Sequence, residues 1–344
     1  MTVRVLQGDC RDVLKTLPDE SVHCCVTSPP YWGLRDYGIS GQIGLEESPY
    51  AFVDTMSEVF AEVRRVLRSD GTLWLNLGDS YSGSGKGGNP DPGSSKQATN
   101  KGSQTIGTLY GKTGETARQA AVTNVSRRLC AEQGFQPKQL MGMPWRVALA
   151  LQEAGWWLRQ DIIWSKPNPM PESVLDRCTK AHEYLFLLAK SERYYFDAKA
   201  IAEPCVAGDN GSSYTSEYDK ATKPGLGTGP RKQRKPAGWD TGPGAHGTIH
   251  RDGRAQDIEY TETGGTTRNK RSVWTVPTYG FPEAHFATFP PDLIEPCILA
   301  GCPEGGTVLD PFGGAGTTGL GADRMGHDAI LIELNPEYAE MARR

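Results

Sequence analysis

The fold of this 344-residue chain is decided by residues 307–319, which read TVLDPFGGAGTTG. Residues 307–309 predict a buried strand, and the glycines that follow allow the backbone to turn tightly and approach a ligand. A helix to Met325 and a second strand over residues 329–332 follow, and that strand ends at Glu333. An acidic side chain about 20 residues after such a turn can hold ribose hydroxyls. The pattern predicts the nucleotide-binding part of an α/β fold.

The position of this unit in the chain argues against a simple NAD-dependent dehydrogenase. Further strand–helix units follow an NAD-binding turn, whereas this chain ends at Arg344, shortly after Glu333. The other strands of the sheet are therefore expected upstream. Apolar patterns predict them over residues 3–6, 22–26, 72–77, 156–164 and 184–188. Helical spacing predicts helices over residues 11–17, 50–67 and 144–154, with Ser69-Asp70-Gly71 ending the second.

A second motif, Ser28-Pro29-Pro30-Tyr31, follows the predicted strand of residues 22–26. In open α/β sheets, ligands bind at the carboxyl ends of the strands. The prolines restrict the backbone and have no N–H of their own, and Tyr31 provides an aromatic ring. This combination suits a planar substrate with an amino group, which could stack on Tyr31 and donate to Ser28 and a proline carbonyl. A lone motif of this kind is as often a rigid turn, and the downstream nucleotide unit favours the substrate site.

Two long polar segments, at about residues 80–133 and 208–270, interrupt the predicted core. Both are rich in glycine and in basic residues, and the second contains Arg231, Lys232, Arg234 and Lys235. Disordered linkers remain an open interpretation, but loops of this length inside a domain are more often functional. The net charge of −4 does not exclude nucleic acid, because a local basic surface is enough to meet phosphates.

Composition excludes several other classes of protein. No apolar run approaches the length of a membrane span, and the N-terminus lacks the layout of a signal peptide, so a cytoplasmic protein is expected. The eight cysteines have neither paired spacing nor a neighbouring histidine cluster, which predicts free buried thiols and no metal site.

The order of the two motifs, Ser-Pro-Pro-Tyr early and Asp-Pro-Phe-x-Gly-x-Gly late, resembles the β-class DNA amino-methyltransferases. The resemblance covers most of the chain outside the polar segments, and includes the stretches at residues 72–77, 164–167 and 285–290. It implies a Rossmann-like α/β sheet with helices on both faces, in the permuted β-class order, with loop-rich DNA-recognition insertions. The implied organisation is a catalytic half at 1–80, a basic insertion at 81–133, further core at 134–207, a target-recognition region at 208–271 and a cofactor half at 272–344.

The resemblance also implies S-adenosylmethionine as the cofactor, no metal, double-stranded DNA as the substrate, and a homo-oligomer. By position, Asp9 would reach the adenine edge and Glu333 the ribose. The full set of implied cofactor residues is Asp9, Phe286, Thr288, Phe289, Asp310, Phe312, Gly314, Gly316, Thr317, Glu333 and Asn335. The implied DNA-contacting residues are Trp32, Arg231, Lys232, Arg234 and Lys235.

The implied reaction is direct methyl transfer to an exocyclic amino nitrogen of a base that has been flipped out of the duplex. The implied catalytic residues are Ser28, Pro29, Pro30 and Tyr31. Ser28 can accept a hydrogen bond from either amino group, so adenine N6 and cytosine N4 both remain open as the target. Trp32 is equally compatible with a pocket role and with core packing.

Three alternatives predict other features. A cytosine-C5 methyltransferase needs a Pro-Cys nucleophile; Pro204-Cys205 and Pro296-Cys297 exist, but neither is placed as that class requires, and its Glu-Asn-Val segment is absent. An RNA or protein-glutamine methyltransferase would carry the cofactor turn before the catalytic motif. A DNA-binding module without catalysis would be expected to have damaged motifs, and both motifs are intact.

Overall fold

The computed structural model describes residues 1–33, 39–82, 134–204, 267–278 and 289–344. The strands are β1 (Val3–Gln7), β2 (Val22–Thr27), β3 (Leu67–Leu77), β4 (Trp157–Ser165), β5 (His182–Ala189), β6 (Glu203–Pro204), β7 (Thr267–Arg268), β8 (Val273–Thr275), β9 (Thr307–Asp310) and β10 (Asp328–Glu333). The helices are α1 (Cys10–Val13), continued by a 3₁₀ turn at Leu14–Thr16, then α2 (Pro49–Val66), α3 (Met143–Glu153), α4 (Pro291–Gly301), α5 (Thr317–Arg324) and α6 (Pro336–Arg343). Each strand and helix named in the sequence analysis is present, with bounds shifted by a few residues.

Two compact units make up the chain: Met1–Ala200 with Arg271–Arg344, and Ile201–Lys270. In the second unit, β6 and β7 pair antiparallel, and Arg268 Nε donates to Glu203 Oε1 at 3.0 Å. Of the described residues, no helix combines the length and apolar character needed to cross a membrane.

The first unit is built on a mixed sheet of eight strands in the order β1-β10-β9-β2-β3-β5-β4-β8. Neighbouring strands are parallel, except that β5 runs antiparallel to both β3 and β4. Strand β1 pairs with β10 along its whole length, from Val3 opposite Ala329 to Gln7 opposite Glu333. The strands that complete the nucleotide-binding unit therefore come from upstream, as predicted.

The reversed direction of β5 positions residues that the sequence patterns did not place. A parallel strand ends at the carboxyl edge of the sheet, but an antiparallel strand begins there. His182 and Glu183, the first residues of β5, therefore lie at the same edge as Thr27 at the end of β2. An apolar run indicates a strand but not its direction, so this juxtaposition was not predicted.

Helices cover both faces of the sheet. Leu73 and Leu75 of β3 are buried in a cluster with residues of α2 and α3. Trp74, which lies between them in sequence, points to the opposite face because side chains alternate along a strand. There α4 approaches so closely that a Cβ at Gly301 would lie 2.5 Å from Trp74 Nε1. This arrangement confirms the predicted layered architecture.

The junction between α2 and β3 differs from the prediction. Helix α2 begins after Ser48, whose side chain accepts from Ala51 N at 2.9 Å, and passes directly into β3 at Leu67. The predicted turn at Ser69-Asp70-Gly71 is instead a bulge within the strand, since Val22 pairs with Leu67 and Cys24 with Thr72. The three residues still interrupt the regular structure, but inside the strand.

Candidate active site

One cleft at the carboxyl edge of the sheet is lined by both sequence motifs. It lies where β1, β10, β9 and β2 end, the position that open α/β sheets use for ligands. The structure brings together there a large part of the predicted set: Asp9, Ser28, Pro29, Pro30, Tyr31, Phe289, Phe312, Gly314, Thr317, Glu333 and Asn335. Residues more than 300 positions apart in the chain thus share one concave surface.

Other predicted residues lie elsewhere. Asp310 is fully buried behind the cleft, and Gly316 is the N-cap of α5 with φ of 90°. Trp32 packs against the hydrophobic core, and its Nε1 donates to the Glu46 carbonyl at 3.1 Å, which favours the packing interpretation. The remaining predicted residues lie outside the described residues: Arg231, Lys232, Arg234, Lys235, Phe286 and Thr288.

Several lining residues were missed by the sequence patterns. They share no periodic signal, because most follow strand ends or belong to an irregular segment after the catalytic motif. These residues are Gly8, Cys10, Ile39, Gly41, Gln42, Ile43, Pro311, Ala315, Ile332, Leu334 and Tyr338. Several of them are direct neighbours in sequence of Asp9, Phe312 or Glu333, and this was the one signal that could have identified them.

Glu333 presents a carboxylate to the cleft from the end of β10. Its two oxygens accept from Gly314 N at 2.8 Å and from Asn335 N at 2.7 Å. Gly314 adopts φ of 51°, a left-handed conformation that side chains disfavour. Burial raises the pKa of Glu333, and the backbone donors at Asn335 and Gly314 oppose that rise. The carboxylate is thus held in place with acceptor capacity left for a ligand.

Asp9 connects the first strand to the segment after the catalytic motif. It caps α1, and its Oδ1 accepts from Arg11 N and from Arg11 Nε, both at 2.9 Å. Arg11 Nη2 also donates to the Gly41 carbonyl at 2.8 Å. The side-chain hydrogen bond from Arg11 is the main reason why the pKa of Asp9 is lowered. Arg11 therefore connects Asp9, which follows β1, to Gly41 in the segment after the catalytic motif, and both residues line the cleft.

These features fit a nucleoside cofactor such as S-adenosylmethionine. A half-buried acceptor, Glu333, suits a pair of ribose hydroxyls. Apolar side chains from three parts of the chain, Ile43, Phe289 and Phe312, provide walls for a planar ring. Gly314 leaves the backbone open toward the cleft beside this carboxylate.

A buried carboxylate joins the two motifs behind the cleft. Asp310 accepts from Thr27 Oγ1 and from Thr318 Oγ1, each at 2.6 Å, and from Phe312 N at 3.0 Å. Burial raises the pKa of Asp310, and these three donors oppose the rise. Because Thr27 directly precedes Ser28, the bonds fix the catalytic motif relative to the nucleotide turn.

Polar side chains from two strands, β3 and β5, meet the catalytic motif. Ser28 Oγ lies 3.2 Å from Asn76 Oδ1 and 3.5 Å from the Tyr31 hydroxyl. That hydroxyl lies 3.1 Å from Asn76 Oδ1 and 2.7 Å from Glu183 Oε2. Glu183 also forms an ion pair with Lys166, and both side chains are largely buried. Asn76 and Glu183 were not identified from the sequence.

The ring of Tyr31 rests against the backbone that follows β3. A Cβ at Gly78 would lie 2.5 Å from Tyr31 Cε2, so only glycine leaves room for the ring. The ring is therefore positioned by contact on one side and by its hydroxyl partners at the other end.

Thiol chemistry has little support at this site. Cys297 of the Pro296-Cys297 pair is fully buried within α4, which contradicts a nucleophilic role; Cys205 lies outside the described residues. Cys10 lines the cleft, but burial raises the pKa of its thiol to about 12. Over the described ranges, histidines, cysteines and acidic residues form no cluster that could hold a metal ion.

Known structures share the fold. The PvuII cytosine-N4-specific DNA methyltransferase superposes with a TM-score of 0.56 at 16% identity, over 98% of this chain and 84% of that one. A DNA modification methylase from Thermus thermophilus, solved with S-adenosyl-L-methionine, gives a TM-score of 0.51 at 22% identity, over 99% of this chain and 92% of that one.

Sequence comparison identifies much nearer relatives. The type II methyltransferase M.Cfr9I of Citrobacter freundii is 41% identical over 98% of this chain and 85% of its own length. M.SmaI of Serratia marcescens is 38% identical over 99% of this chain and 89% of its own length. The family described as DNA methylase, of the N6 and N4 type, matches residues 22–344. The chain therefore belongs to the N6/N4 DNA methylase family and is an S-adenosylmethionine-dependent DNA amino-methyltransferase.

Proposed function

We propose that the protein methylates the exocyclic amino group of a specific base in double-stranded DNA, with Ser28, Pro29, Pro30 and Tyr31 as the catalytic residues. The observation that carries the assignment is that this motif and Glu333 line the same cleft. A methyl donor held by the Glu333 side would face a base held by the Ser28 side. Adenine N6 and cytosine N4 are the two candidate acceptors.

In the cofactor half, Glu333 holds the ribose hydroxyls and Asp9 faces the adenine edge. Phe289 and Phe312 provide apolar walls, with Gly314, Thr317 and Asn335 completing the lining. When bound, S-adenosylmethionine supplies a methyl group on a positively charged sulfur as the electrophile. Asp310 and Gly316 act indirectly, since Asp310 fixes the turn and Gly316 starts helix α5.

In the catalytic half, the protein must activate a weak nucleophile. The lone pair of an exocyclic amino nitrogen is delocalised into the base ring. Hydrogen bonds from its two N–H groups to Ser28 Oγ and to the Pro29 carbonyl localise the lone pair and direct it across the cleft. The gain comes from positioning and electrostatics, which can together supply many orders of magnitude.

The substrate base must leave the duplex to reach this cleft, because the amino group of a paired base is inaccessible to such a site. The ring of Tyr31, fixed against Gly78, supports a flipped base by stacking. Unstacking costs a few kcal/mol, which contacts with the DNA must offset.

We infer that residues 81–133 and 208–271 contact the DNA, and that Arg234 and Lys235 bind phosphates. The separation of Ile201–Lys270 into its own compact unit supports a distinct recognition region. Replacing Arg234 and Lys235 by glutamine should weaken DNA binding and lower its salt dependence. An unchanged salt dependence would contradict the assignment. We also propose a homo-oligomer, which light scattering of the purified protein would measure.

Incubation with labelled cofactor and unmethylated double-stranded DNA tests the reaction. Mass spectrometry of the digested nucleosides should find N6-methyladenine or N4-methylcytosine and thereby identify the base. Ser28→Ala should lose most activity while keeping its affinity for S-adenosylhomocysteine. The appearance of 5-methylcytosine, or labelling of RNA or protein in place of DNA, would overturn the proposal.

A further inference from the structure

We propose that Glu183 and Asn76 are positioning residues that orient the hydroxyl hydrogen of Ser28 away from the substrate, so that Ser28 Oγ can act only as an acceptor toward the target amino group. The inference rests on the proposed function. A serine hydroxyl can donate as well as accept. The inference explains how Ser28 is restricted to accepting a hydrogen bond from the target amino group.

The hydrogen-bond direction is set from the end of the network that cannot donate. An ionised carboxylate accepts only, and Glu183 Oε2 lies 2.7 Å from the Tyr31 hydroxyl. That hydroxyl has a single hydrogen, and a charged acceptor competes for it better than a neutral one. Tyr31 therefore donates to Glu183 in preference to Asn76 Oδ1, which is 3.1 Å away.

Asn76 then remains available to Ser28. The amide of Asn76 is fixed in orientation because its Nδ2 donates to the Tyr184 carbonyl at 3.1 Å. This bond assigns Oδ1 to the side that faces Ser28, 3.2 Å away. Asn76 is almost fully buried, at 3% exposure. Ser28 accordingly donates to Asn76, and the lone pairs of its Oγ are left to accept from the cleft.

Lys166 balances the charge at the far end of the network. It pairs with Glu183 Oε1, while Oε2 serves Tyr31. The ammonium also lies 4.1 Å from the centroid of the Trp164 ring. With side-chain exposures of 16% and 17%, the pair is largely shielded from water. Burying a carboxylate is costly unless it is paired. Lys166 provides that pairing, so Glu183 can remain an acceptor for the Tyr31 hydroxyl.

Two substitutions distinguish this network from a purely structural contact. Glu183→Gln replaces the obligate acceptor by an amide that can also donate. The Tyr31 hydrogen can then turn to Asn76 Oδ1, where it competes with that of Ser28, or to Ser28 Oγ itself, 3.5 Å away, where it competes with the substrate amino group. Tyr31→Phe removes the competing hydroxyl but keeps the ring, so Asn76 is left to Ser28 alone. The second change should therefore rescue the first.

The experiment uses the full-length protein and a DNA duplex that carries the sequence methylated by the unaltered enzyme. We expect Glu183→Gln to lower kcat by about 10- to 100-fold, with KM for DNA and the affinity for S-adenosylhomocysteine within about 3-fold of the parent. The double variant Glu183→Gln/Tyr31→Phe should recover to within about 3-fold of Tyr31→Phe alone. In a Ser28→Ala background, Glu183→Gln should add no further loss.

Glu62→Gln is the matched control. Glu62 is likewise a carboxylate in an ion pair, with Arg65 at 2.9 Å. It lies near the end of α2, where β3 begins at the opposite edge of the sheet. Its kcat should equal that of the parent.

Three results would overturn the inference. They are an unchanged kcat in Glu183→Gln, an equal or greater loss in the double variant, and a full additional loss in the Ser28→Ala background. If Glu183→Gln fails to fold, the double variant decides the matter, since a purely structural role for Glu183 would not be rescued at Tyr31. A lack of methyl transfer by the unaltered protein would instead contradict the proposed function and leave no kcat to compare.

Discussion

The hydroxyl of Thr27 donates to the buried carboxylate of Asp310 across 2.6 Å, and the bond joins the last residue of β2 to the last residue of β9. The next residue after Thr27 begins the catalytic motif, and the next residues after Asp310 begin the glycine turn. Together with the pairing of β2 and β9, this buried contact sets the spacing between the base-facing and cofactor-facing sides of the cleft.

Asp310→Asn should destabilise the protein by about 1–3 kcal/mol. Asparagine has only one carbonyl oxygen to replace the two carboxylate oxygens. Its amide nitrogen, which cannot accept, would face at least one of the groups that now donate to Asp310. Urea unfolding measures the loss. Thr27→Val, which removes one of three donors, should cost about 1 kcal/mol. A variant as stable as the parent would show that Asp310 does not fasten the two strands.

Cofactor affinity should fall on acidification at a pH above the ordinary glutamate value of 4.5. Burial raises the pKa of Glu333, and only the ionised carboxylate accepts from both ribose hydroxyls. The contribution to binding is therefore present above the raised pKa and is lost as the pH falls through it. Calorimetric titration of S-adenosylhomocysteine between about pH 5 and 8 checks this, given the usual spread of carboxyl pKa values. Glu333→Gln should bind more weakly and lose the acid dependence; a parent enzyme with constant affinity would count against the ribose assignment.

Gly78→Ala should displace the ring of Tyr31. The added Cβ would lie 2.5 Å from Tyr31 Cε2, and overpacking of this kind costs about 1–3 kcal/mol. We expect kcat to fall by at least about 10-fold, with cofactor affinity unchanged because Gly78 is absent from the cofactor side of the cleft. In a Tyr31→Ala background the same substitution should have no effect on kcat. If Gly78→Ala lowers kcat equally in both backgrounds, the substitution does not act through the ring of Tyr31.

Arg11→Met should weaken cofactor binding by about 10-fold, equivalent to about 1.4 kcal/mol. The substitution releases the Gly41 carbonyl from Arg11 Nη2 and leaves Asp9 without its side-chain donors. Calorimetry provides the measurement. Arg4→Met is the control, since Arg4 is an exposed residue of the strand that leads to Asp9. If both variants bind as the parent does, the connection through Arg11 has no role in holding the cofactor.

The strands and helices of the core could be predicted because their apolar patterns are regular, and both motifs could be predicted because glycine, proline and acidic residues occur at set distances from strand ends. The direction of β5 could not. Its eight residues form a largely buried run that reads alike in either direction. Glu183 directly precedes the predicted strand of residues 184–188, and only the reversed direction of β5 brings it to Tyr31.

Asp310 illustrates a different limit. Its place in the motif suggested direct contact with the cofactor, but the structure turns its carboxylate inward to Thr27 and Thr318. Spacing along the chain cannot reveal which way a side chain at a strand end points. For Trp32 the sequence leaves a pocket role and core packing equally open, and its partly buried indole packs against the core.

The pairing of β1 with β10 has a consequence for biosynthesis. β1 leaves the ribosome long before its one neighbour among the described strands of the sheet, which is made from residues 328–333. Contacts between such distant residues form slowly, because a very long loop must close first. β1 must therefore wait for a partner that is made more than 300 residues later. The cofactor-facing wall of the cleft, which needs Glu333 at the end of β10, therefore cannot form until the last of the described strands has been made.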